Sequence, residues 1–505
     1  MRQLDNKIPN SSQVQVQLTN TIMQSFTTWL KEAGLDAKKH QFSGIEWVYN
    51  RETNPRLGVP GGFLCDEMGL GKTILMIGVM KVNPKKQTLI ILPKSLIKQW
   101  ADTLKKLVNI DAFIYHGAKV KKATKDDLAS QVVLTTYGMI SVRKRKKKLV
   151  HCPLWDIKWG RIIYDEAHHV RNKKTRLFEG AMILKKKSKI NWMVTGTPIN
   201  NDKKDFYNLC VVQGMNKSFH MSADQISKVV RSCVMKRTKE QVGIKMPKLN
   251  EKVVEVEFET EKEEKFAKNI HNLMSFATVT SENVDEIISN MGTRIQCRFP
   301  IMMLMRQCCV YPKLSVRYFR KKYKNECKRL GMKKNFHDIG HSKLNAVVNK
   351  VIENKGNGKK KLIFCLFTKE IELLKKLIEK AGISAETVYG STPKKLRKER
   401  LRTPEKVEDG PEVLIVQIQT ACEGLNLQHI NEIYFTTPHW NPSVEDQAIA
   451  RAHRIGQEKE VDVYRFVSKF QNKKDDTSIT LDEYCMTVQE KKREIAKSIF
   501  AQKKN

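Results

Sequence analysis

Two clusters in this sequence have the residue types and spacing to work on a phosphate. The first is "GGFLCDEMGLGKT", residues 61–73. It fits the phosphate-loop pattern G-x-x-x-x-G-K-[ST] at Gly71, Lys72 and Thr73, and departs from it where Asp66 replaces the first glycine. Gly69 and Gly71 let backbone N–H groups turn inward around phosphate oxygens. Lys72 can reach the β and γ phosphates, and the Thr73 hydroxyl can ligate Mg²⁺. The second cluster is "RIIYDEAHH", where an apolar run ends in Asp165 and Glu166. A strand tip is where an α/β sheet places its ligands. Asp165 is suited to hold Mg²⁺, and Glu166 to orient and deprotonate an attacking water. A glycine-rich turn with no ligand is the competing reading of the first cluster. An acidic pair about ninety residues later, at a strand end, weighs against it. His168 taken alone reads as an ordinary structural or solvated histidine.

These clusters need elements to hold them. Short apolar runs bounded by polar residues recur along the chain. They are "TLIILP", "VVLTTY", "RIIYDE" and "WMVTGTP" in the first half, and "KLIFCLF", "VLIVQIQT", "EIYFTTP" and "VDVYRFV" in the second. Runs of this length without alternation suit strands buried on both faces. Lys- and Glu-rich helical stretches separate many of them, so the expectation is a parallel α/β sheet, formed twice. "TILMIGVMKV" reads as the helix that follows the phosphate loop. Residues 251 to about 340 read as a helical insertion, with Phe266, Ile270 and Leu273 at helical spacing. "ENKGNGKKK", residues 353–361, marks the turn before the second sheet. Near the end, Val488, Ile495 and Ile499 fall on one face of a helix. No repeat at solenoid periods is visible.

Composition narrows the class. The 505 residues suggest about three domains. Hydrophobic residues make up 40% and charged residues 29%, a globular balance. No run approaches the roughly 18 apolar residues of a membrane helix, and the polar start is not expected to be a secretory signal. The net charge is +38, with 69 Lys and 23 Arg. That excess favours a polyanion, nucleic acid foremost, over a drift of composition towards Lys. The eleven cysteines are odd in number and hold no C-x-x-C. This argues for reduced thiols and against a zinc module. Adjacent Cys308 and Cys309 read as small core residues.

The two clusters together, DEMGLGKT and DEAH, resemble the first motifs of helicase superfamily 2 in the form of the Snf-type (SWI/SNF-related) ATPases. That family commonly writes its phosphate loop with Asp at the position of Asp66. The resemblance continues in order over most of the chain. "HQFSGIEWV" is similar to the glutamine motif, which makes Gln41 the adenine reader. "LIILPKSLIKQW" and "VVLTTYGMI" resemble the DNA-facing motifs of lobe 1. "WMVTGTPINN" resembles the coupling motif, with Thr195, Gly196, Thr197 and Pro198. "VMKRTKEQV" resembles the Arg-Thr-Lys segment leaving lobe 1. "LMRQCCVYP" resembles a signature of the helical insertion, except that Tyr311 replaces His.

In the second lobe, "QTACEGLNL" resembles motif V. Ala421, Cys422 and Glu423 depart from its usual small run, whereas Gly424, Leu425, Asn426 and Leu427 fit. "HWNPSVEDQAIARAHRIGQ" is the most diagnostic stretch, with Trp440, Asn441, Pro442, Gln447, Arg451, Arg454, Gly456 and Gln457. Arg451 and Arg454 lie three apart on a predicted helix, hence on one face. Two guanidinium forks there suit a γ-phosphate. Phe367 and Thr368, and "YGSTPKKLRKERL", resemble DNA-backbone motifs of lobe 2; the latter also reads as a plain basic helix face. "RKRKKKL", residues 143–149, reads as a nuclear import signal, a DNA-facing loop or a solvated turn.

The resemblance implies two RecA-like parallel-sheet lobes with helical protrusions and a C-terminal brace helix. The expected boundaries are a polar segment at 1–19, lobe 1 at 20–240, a linker and helical protrusion at 241–340, lobe 2 at 341–482, and brace and basic tail at 483–505. It implies DNA-dependent hydrolysis of ATP with Mg²⁺. Lys72, Glu166, Arg451 and Arg454 would be catalytic. Gln41, Asp66, Gly69, Gly71, Lys72, Thr73 and Gly424 would hold the nucleotide, and Thr73 and Asp165 the metal. Thr195, Gly196, Thr197 and Gln447 would couple the lobes. Lys94, Thr135, Asn172, Thr368, Ser391, Asn426 and Trp440 would face DNA. The implied work is translocation on double-stranded DNA by a monomeric, intracellular motor without membrane contact. It would displace bound bodies such as nucleosomes or RNA polymerase, in a nucleus or, for a viral chain, a virus factory or virion. A strand-separating helicase and an inactive DNA-binding scaffold are the alternatives. A single Cys327 in residues 313–341 leaves no expectation of a RING. The bare motor resembles compact forms found in large DNA viruses.

Overall fold

All eight apolar runs are strands, and all are buried along most of their length. The computed structural model describes residues 11–36, 38–145, 148–199, 202–216, 222–273, 295–322, 324, 339–401, 410–421, 427–471 and 478–500. Residues 1–245 with 495–505 form one unit, and residues 246–494 form another.

In the first unit the strands are β1 (Gly61–Leu64), β2 (Thr88–Leu92), β3 (Phe113–Tyr115), β4 (Val132–Thr136), β5 (Arg143–Arg145), β6 (Lys148–Val150), β7 (Trp159–Asp165), β8 (Ser188–Val194) and β9 (Val234–Met235). Seven of them form one sheet in the order β3-β4-β2-β7-β8-β1-β9, and every described pairing in it is parallel. β5 and β6 stand apart as a two-stranded antiparallel ribbon. Successive residues of a strand point to opposite faces. Leu89 and Ile91 therefore enter one apolar cluster, while Ile90 and Leu92 enter the other. Both faces are covered, which is why the runs do not alternate with polar residues.

In the second unit the strands are β10 (Leu249–Glu257), β11 (Lys360–Cys365), β12 (Ala385–Val388), β13 (Val413–Gln417), β14 (Ile430–Phe435) and β15 (Val461–Lys469). They form a parallel sheet in the order β10-β15-β14-β11-β13-β12. Ile363 and Cys365 face one cluster, Leu362 and Phe364 the other. A third cluster lies among helices Glu261–Asn272, Ile295–Val310 and Lys313–Lys322. Phe266 and Ile270 are buried there, as their spacing predicts. Cys308 and Cys309 are buried in the same cluster. Cys65, Cys152, Cys210, Cys233, Cys365 and Cys485 are likewise free and buried. The final helix, Leu481–Phe500, has residues 481–494 in the second unit and its last residues in the first, where Ile499 is buried.

Three elements differ from expectation. Residues 249–257, which include the expected start of the helical insertion, are strand β10. As an edge strand it has one open side, and charged residues are tolerated there. Glu251 pairs with Arg465 at 2.6 Å and Glu255 with Lys469 at 2.7 Å. Their charge gives the segment the texture of a surface helix. The polar N-terminal segment is helical from Ser11 onward, in a helix running to Glu32. The helix expected to carry Arg451 and Arg454 ends at Ile449, and both arginines lie in the turns beyond it.

Among the described residues no helix is long and apolar enough to cross a membrane. None of their His, Cys, Asp and Glu side chains cluster in threes that could hold a metal.

Candidate nucleotide site

The carboxyl ends of β1, β7 and β8 bring the phosphate-type residues of the first unit together. β1 runs into the loop Cys65–Gly71, and helix Lys72–Val82 starts directly after it. Gly69 and Gly71 have φ of +92° and +83°, a region open to glycine at no steric cost. A Cβ on Gly71 would also press on the Gln41 amide, at 3.0 Å from its Nε2. Lys72 Nζ donates to the carbonyls of Asp66, at 2.7 Å, and Glu67, at 3.3 Å. Thr73 lies in the first turn of the helix, whose unpaired N–H groups and dipole favour an anion.

Beside this loop is a cavity of about 320 Å³ lined by Gly34, Leu35, His40, Gln41, Gly71 and Ile74, among others. Gln41 is buried, and its Oε1 has no hydrogen-bond partner among the described residues. A buried amide oxygen left unsatisfied is costly, so Gln41 fits a ligand that offers an N–H there. The exocyclic amine of adenine does so. The glycine cradle, Lys72 and the helix start fit the phosphates of the same ligand.

Asp66 does something other than expected. Its carboxylate is fully buried and holds Arg237. Arg237 Nη2 donates to Oδ2 at 2.5 Å, and Nε and the backbone N–H donate to Oδ1 at 3.1 and 3.0 Å. The other arm of Arg237 donates to the His40 carbonyl at 2.6 Å and to Ser43 Oγ at 3.1 Å. Glu67 is held likewise by Lys239, at 2.9 Å. The Arg-Thr-Lys segment thus clamps the phosphate loop and ties it to the helix of Gln41. The motif marks this segment, but its local pattern assigns Arg237 and Lys239 no partner.

Asp165 ends β7. Its Oδ2 accepts the Trp100 indole N–H at 2.7 Å, and its Oδ1 the Glu166 N–H at 3.1 Å. Burial first, then the neighbouring Glu166 charge, push the Asp165 carboxyl above its ordinary range. The Tyr137 hydroxyl donates to the Asp165 carbonyl at 2.5 Å. Trp100 and Tyr137 come from the two motifs expected to face DNA, and here they hold the acidic pair. Glu166 adopts φ +53°, an uncommon left-handed conformation for a side-chain residue. His168 Nδ1 lies 3.3 Å from Glu166 Oε2 and 3.4 Å from Thr195 Oγ1. His168 therefore bridges the acidic pair to the segment after β8. Thr195 Oγ1 accepts the Thr197 N–H at 3.2 Å. A Cβ on Gly196 would lie 3.8 Å from both Lys72 Nζ and the Asp66 carbonyl. The coupling segment thus lies beside the phosphate loop and reaches the acidic pair through His168.

In the second unit, Asn441 caps helix Pro442–Ile449 by accepting the Ser443 N–H at 3.1 Å, and Pro442 is its first residue. Both are favoured at those positions. Glu445, fully buried on that helix, accepts from Arg465 and from Gln489. Gln447 is buried. Past the helix, the Arg451 carbonyl accepts the Leu427 N–H at 3.0 Å. Gln457 Nε2 donates to the Gln428 carbonyl at 2.8 Å, and its Oε1 accepts the N–H groups of Glu458 and Lys459. Gly456 has φ +95°, and a Cβ there would meet Gln428 Nε2 at 2.8 Å. The arginine-bearing turn is therefore fixed without a helix. Gly424 and Asn426 lie outside the described residues.

The residues expected to face DNA divide. Lys94, Asn172, Thr368 and Ser391 are exposed. Thr135 is fully buried and donates to the Tyr115 carbonyl at 2.9 Å, so its side chain supports the sheet and cannot touch DNA. Trp440 packs edge-on against Tyr484, with ring centroids 5.7 Å apart, in the helical cluster. This packing anchors the loop, and the residue stays partly exposed.

Residues 40–314 match the SNF2-related domain, and residues 342–456 the helicase conserved C-terminal domain. The chain belongs to the SNF2-related family. It is thus a Snf2-type, helicase-like ATPase chain. Among similar proteins is the probable global transactivator of Orgyia pseudotsugata multicapsid polyhedrosis virus. It is 26% identical over 92% of this chain and 91% of its own length. The mouse chromodomain-helicase-DNA-binding protein 6 is 25% identical over 86% of this chain, which spans only 17% of that much longer protein. The helicase domain of Pyrococcus furiosus Hef shares the fold, at 16% identity and a TM-score of 0.50, over 86% of this chain and 95% of its own. The two-lobed RecA-like architecture of this SNF2-related chain is that of its class.

Proposed function

We propose that this chain is a Mg²⁺- and DNA-dependent ATPase that translocates on double-stranded DNA and displaces proteins bound to it. The observation that carries the reading is the placement of Gly196 beside Lys72 together with the links Glu166–His168–Thr195. It joins the phosphate-type residues to the segment expected to report on them.

In this reading Gln41 takes the adenine, and Gly69, Gly71 and Lys72 take the phosphates. Lys72 exchanges its loop carbonyls for β and γ oxygens. Glu166 accepts a proton from the attacking water, the bond to the γ-phosphorus breaks on the leaving side, and ADP and phosphate result. A Mg²⁺ ion held by Thr73 and Asp165 would neutralise charge between the phosphates. Arg451 and Arg454 supply positive charge to the transition state, and Gln447 couples the steps. In the proposed division of the chain, lobe 1 covers residues 20–240, the protrusion 241–340, lobe 2 341–482 and the brace 483–505.

The net charge of +38 supports a polyanionic track. The names of the viral transactivator and the chromodomain relatives support a transcription complex or chromatin as the displaced body. They also support action in a nucleus or at a site of viral DNA, and the motor is proposed to act as a monomer. The test is ATP turnover with no nucleic acid, with single-stranded DNA and with duplex DNA. The duplex should stimulate most. Equal turnover in all three would remove the translocase reading and leave an unaided nucleotidase.

A further inference from the structure

The ribbon formed by β5 and β6 is a feature that the nucleotide site does not use. Its sequence, "RKRKKKLV", holds six consecutive basic residues, 143–148. Its root is fixed to the first unit at several points. Val142 is buried, and its N–H donates to the Arg176 carbonyl at 3.0 Å. Arg143 Nη2 donates to the Gly138 carbonyl at 2.7 Å. Gly180 admits the backbone of Ile140 so closely that a Cβ would lie 1.8 Å from its carbonyl oxygen. The ribbon itself is exposed. Lys144 is open to solvent, and Leu149 and Val150 are 56% and 41% exposed.

The register is locally unfavourable. Arg143 stands opposite Val150, Lys144 opposite Leu149 and Arg145 opposite Lys148. Like charges directly opposite each other destabilise a strand pair, and two strands alone are marginal. No third strand joins them among the described residues. A segment that breaks local rules on a firm root is where function is expected. Negative charge would relieve the like-charge pairing, and Asp156, just after the ribbon, is already held by His151 at 2.7 Å.

The ribbon's place supplies the rest. It follows β4, at the carboxyl edge of the sheet that also carries Lys94 after β2 and Asn172, Lys173 and Lys174 after β7. Lys173 and Lys174 are exposed, just before the Arg176 that anchors the root. A two-stranded ribbon fits the major groove of B-form DNA. We infer that the paired strands β5 and β6, residues 143–145 and 148–150, enter a groove of the duplex and add phosphate contacts on lobe 1. This rests on the double-stranded DNA reading above and names a contact within it.

The experiment measures duplex affinity of the full chain against salt. The ribbon variant is K144Q/K146Q/K147Q/K148Q, which leaves the Arg143 anchor in place. The control, K81Q/K86Q/K186Q/K189Q, removes equal charge from exposed lysines at the amino ends of the strands. Thermal melting of both variants checks folding. The log–log slope of the ribbon variant should shrink by about 0.9 for each phosphate it no longer neutralises, while the control keeps the wild-type slope. A ribbon variant with the wild-type slope overturns the inference and leaves the translocase reading standing. If that variant also fails to enter nuclei, the run belongs to an import receptor. A flat wild-type response would overturn the DNA reading and the ribbon with it.

Discussion

Asp66 shows how one residue can look wrong locally and be right in context. The generic loop pattern has glycine there, and this chain buries a carboxylate instead. Three N–H groups of Arg237 satisfy it. Breaking a buried pair from one side leaves an uncompensated charge, at a cost of about 3–5 kcal/mol. Arg237 keeps some exposure, so Asp66→Ala should lose about 3 kcal/mol in urea unfolding, the low end of that range. Asp66→Gly, which restores the generic letter, should do no better. If Asp66→Gly matched the wild type in stability and ATP turnover, the clamp would be dispensable. Lys239→Ala should cost only about 0–1 kcal/mol, because its partner Glu67 is 40% exposed and screened. In the acidic pair, Glu166→Gln should bind ATP without turning it over, and Lys72→Ala should abolish hydrolysis. Near-normal turnover by Glu166→Gln would remove Glu166 as the base.

At the scale of elements, the turn after helix Pro442–Ile449 is the part to probe. Arg451→Ala or Arg454→Ala should leave ATP binding in place and cut turnover by about 10³-fold, with no rescue by Lys, which lacks the fork. Gly456→Ala tests whether the turn positions them. Its φ of +95° and the 2.8 Å approach to Gln428 force the turn to shift. A displacement of about 1 Å can cost on the order of 10²-fold in turnover. Loss of ATP affinity with normal turnover in the bound complex would contradict both assignments. The helical cluster offers a pH test. His271 Nδ1 faces the Ala267 carbonyl at 2.7 Å, and its Nε2 accepts the Leu481 N–H at 3.1 Å, so the ring is neutral when folded. Burial lowers it from 6.5 to about 4. The unfolded chain binds the extra proton first, so this stability is present above pH 6.5 and lost as pH falls towards 4. The loss amounts to roughly 3 kcal/mol at most. Urea unfolding at about pH 7 and about pH 5, on either side of the ordinary histidine range, should show it. His271→Asn should remove only its share of the difference, because burial also lowers His169 and His439 to about 4.

For the whole molecule, the prediction concerns the work done. A translocase that tracks an intact duplex should strip the third strand from a triplex, using ATP, and leave a tailed duplex paired. The exposed β5–β6 ribbon tightens this test, because a protruding ribbon is also a shape that can split base pairs. Under the groove-contact reading it does not do so. Running both substrates side by side decides the matter. Opening of the tailed duplex with the triplex untouched would make this a strand-separating enzyme. Duplex affinity should also fall by roughly 10³-fold or more between about 50 and 200 mM salt, if six or more phosphates are held.

The sequence by itself determined the two parallel sheets, the phosphate loop and the acidic pair. Their signals are local: unbroken apolar runs for strands covered on both faces, and glycines where the backbone needs positive φ. Tertiary structure decided which partners those residues meet. Strand order places β9 beside β1, and the register pairs Leu64 with Met235. Two residues further along each strand's path, Asp66 meets Arg237, a partner 171 positions away. No window of neighbouring residues contains that meeting. The same holds for Trp100 against Asp165 and for the burial of Thr135. β10 reads as helix from its letters because an edge strand leaves one side to water, so its composition follows solvent more than its partner. The arginine turn reads as helix for a different reason. Its helix stops at Ile449, and the turn beyond is held by hydrogen bonds to residues 427 and 428, which helical spacing cannot foresee.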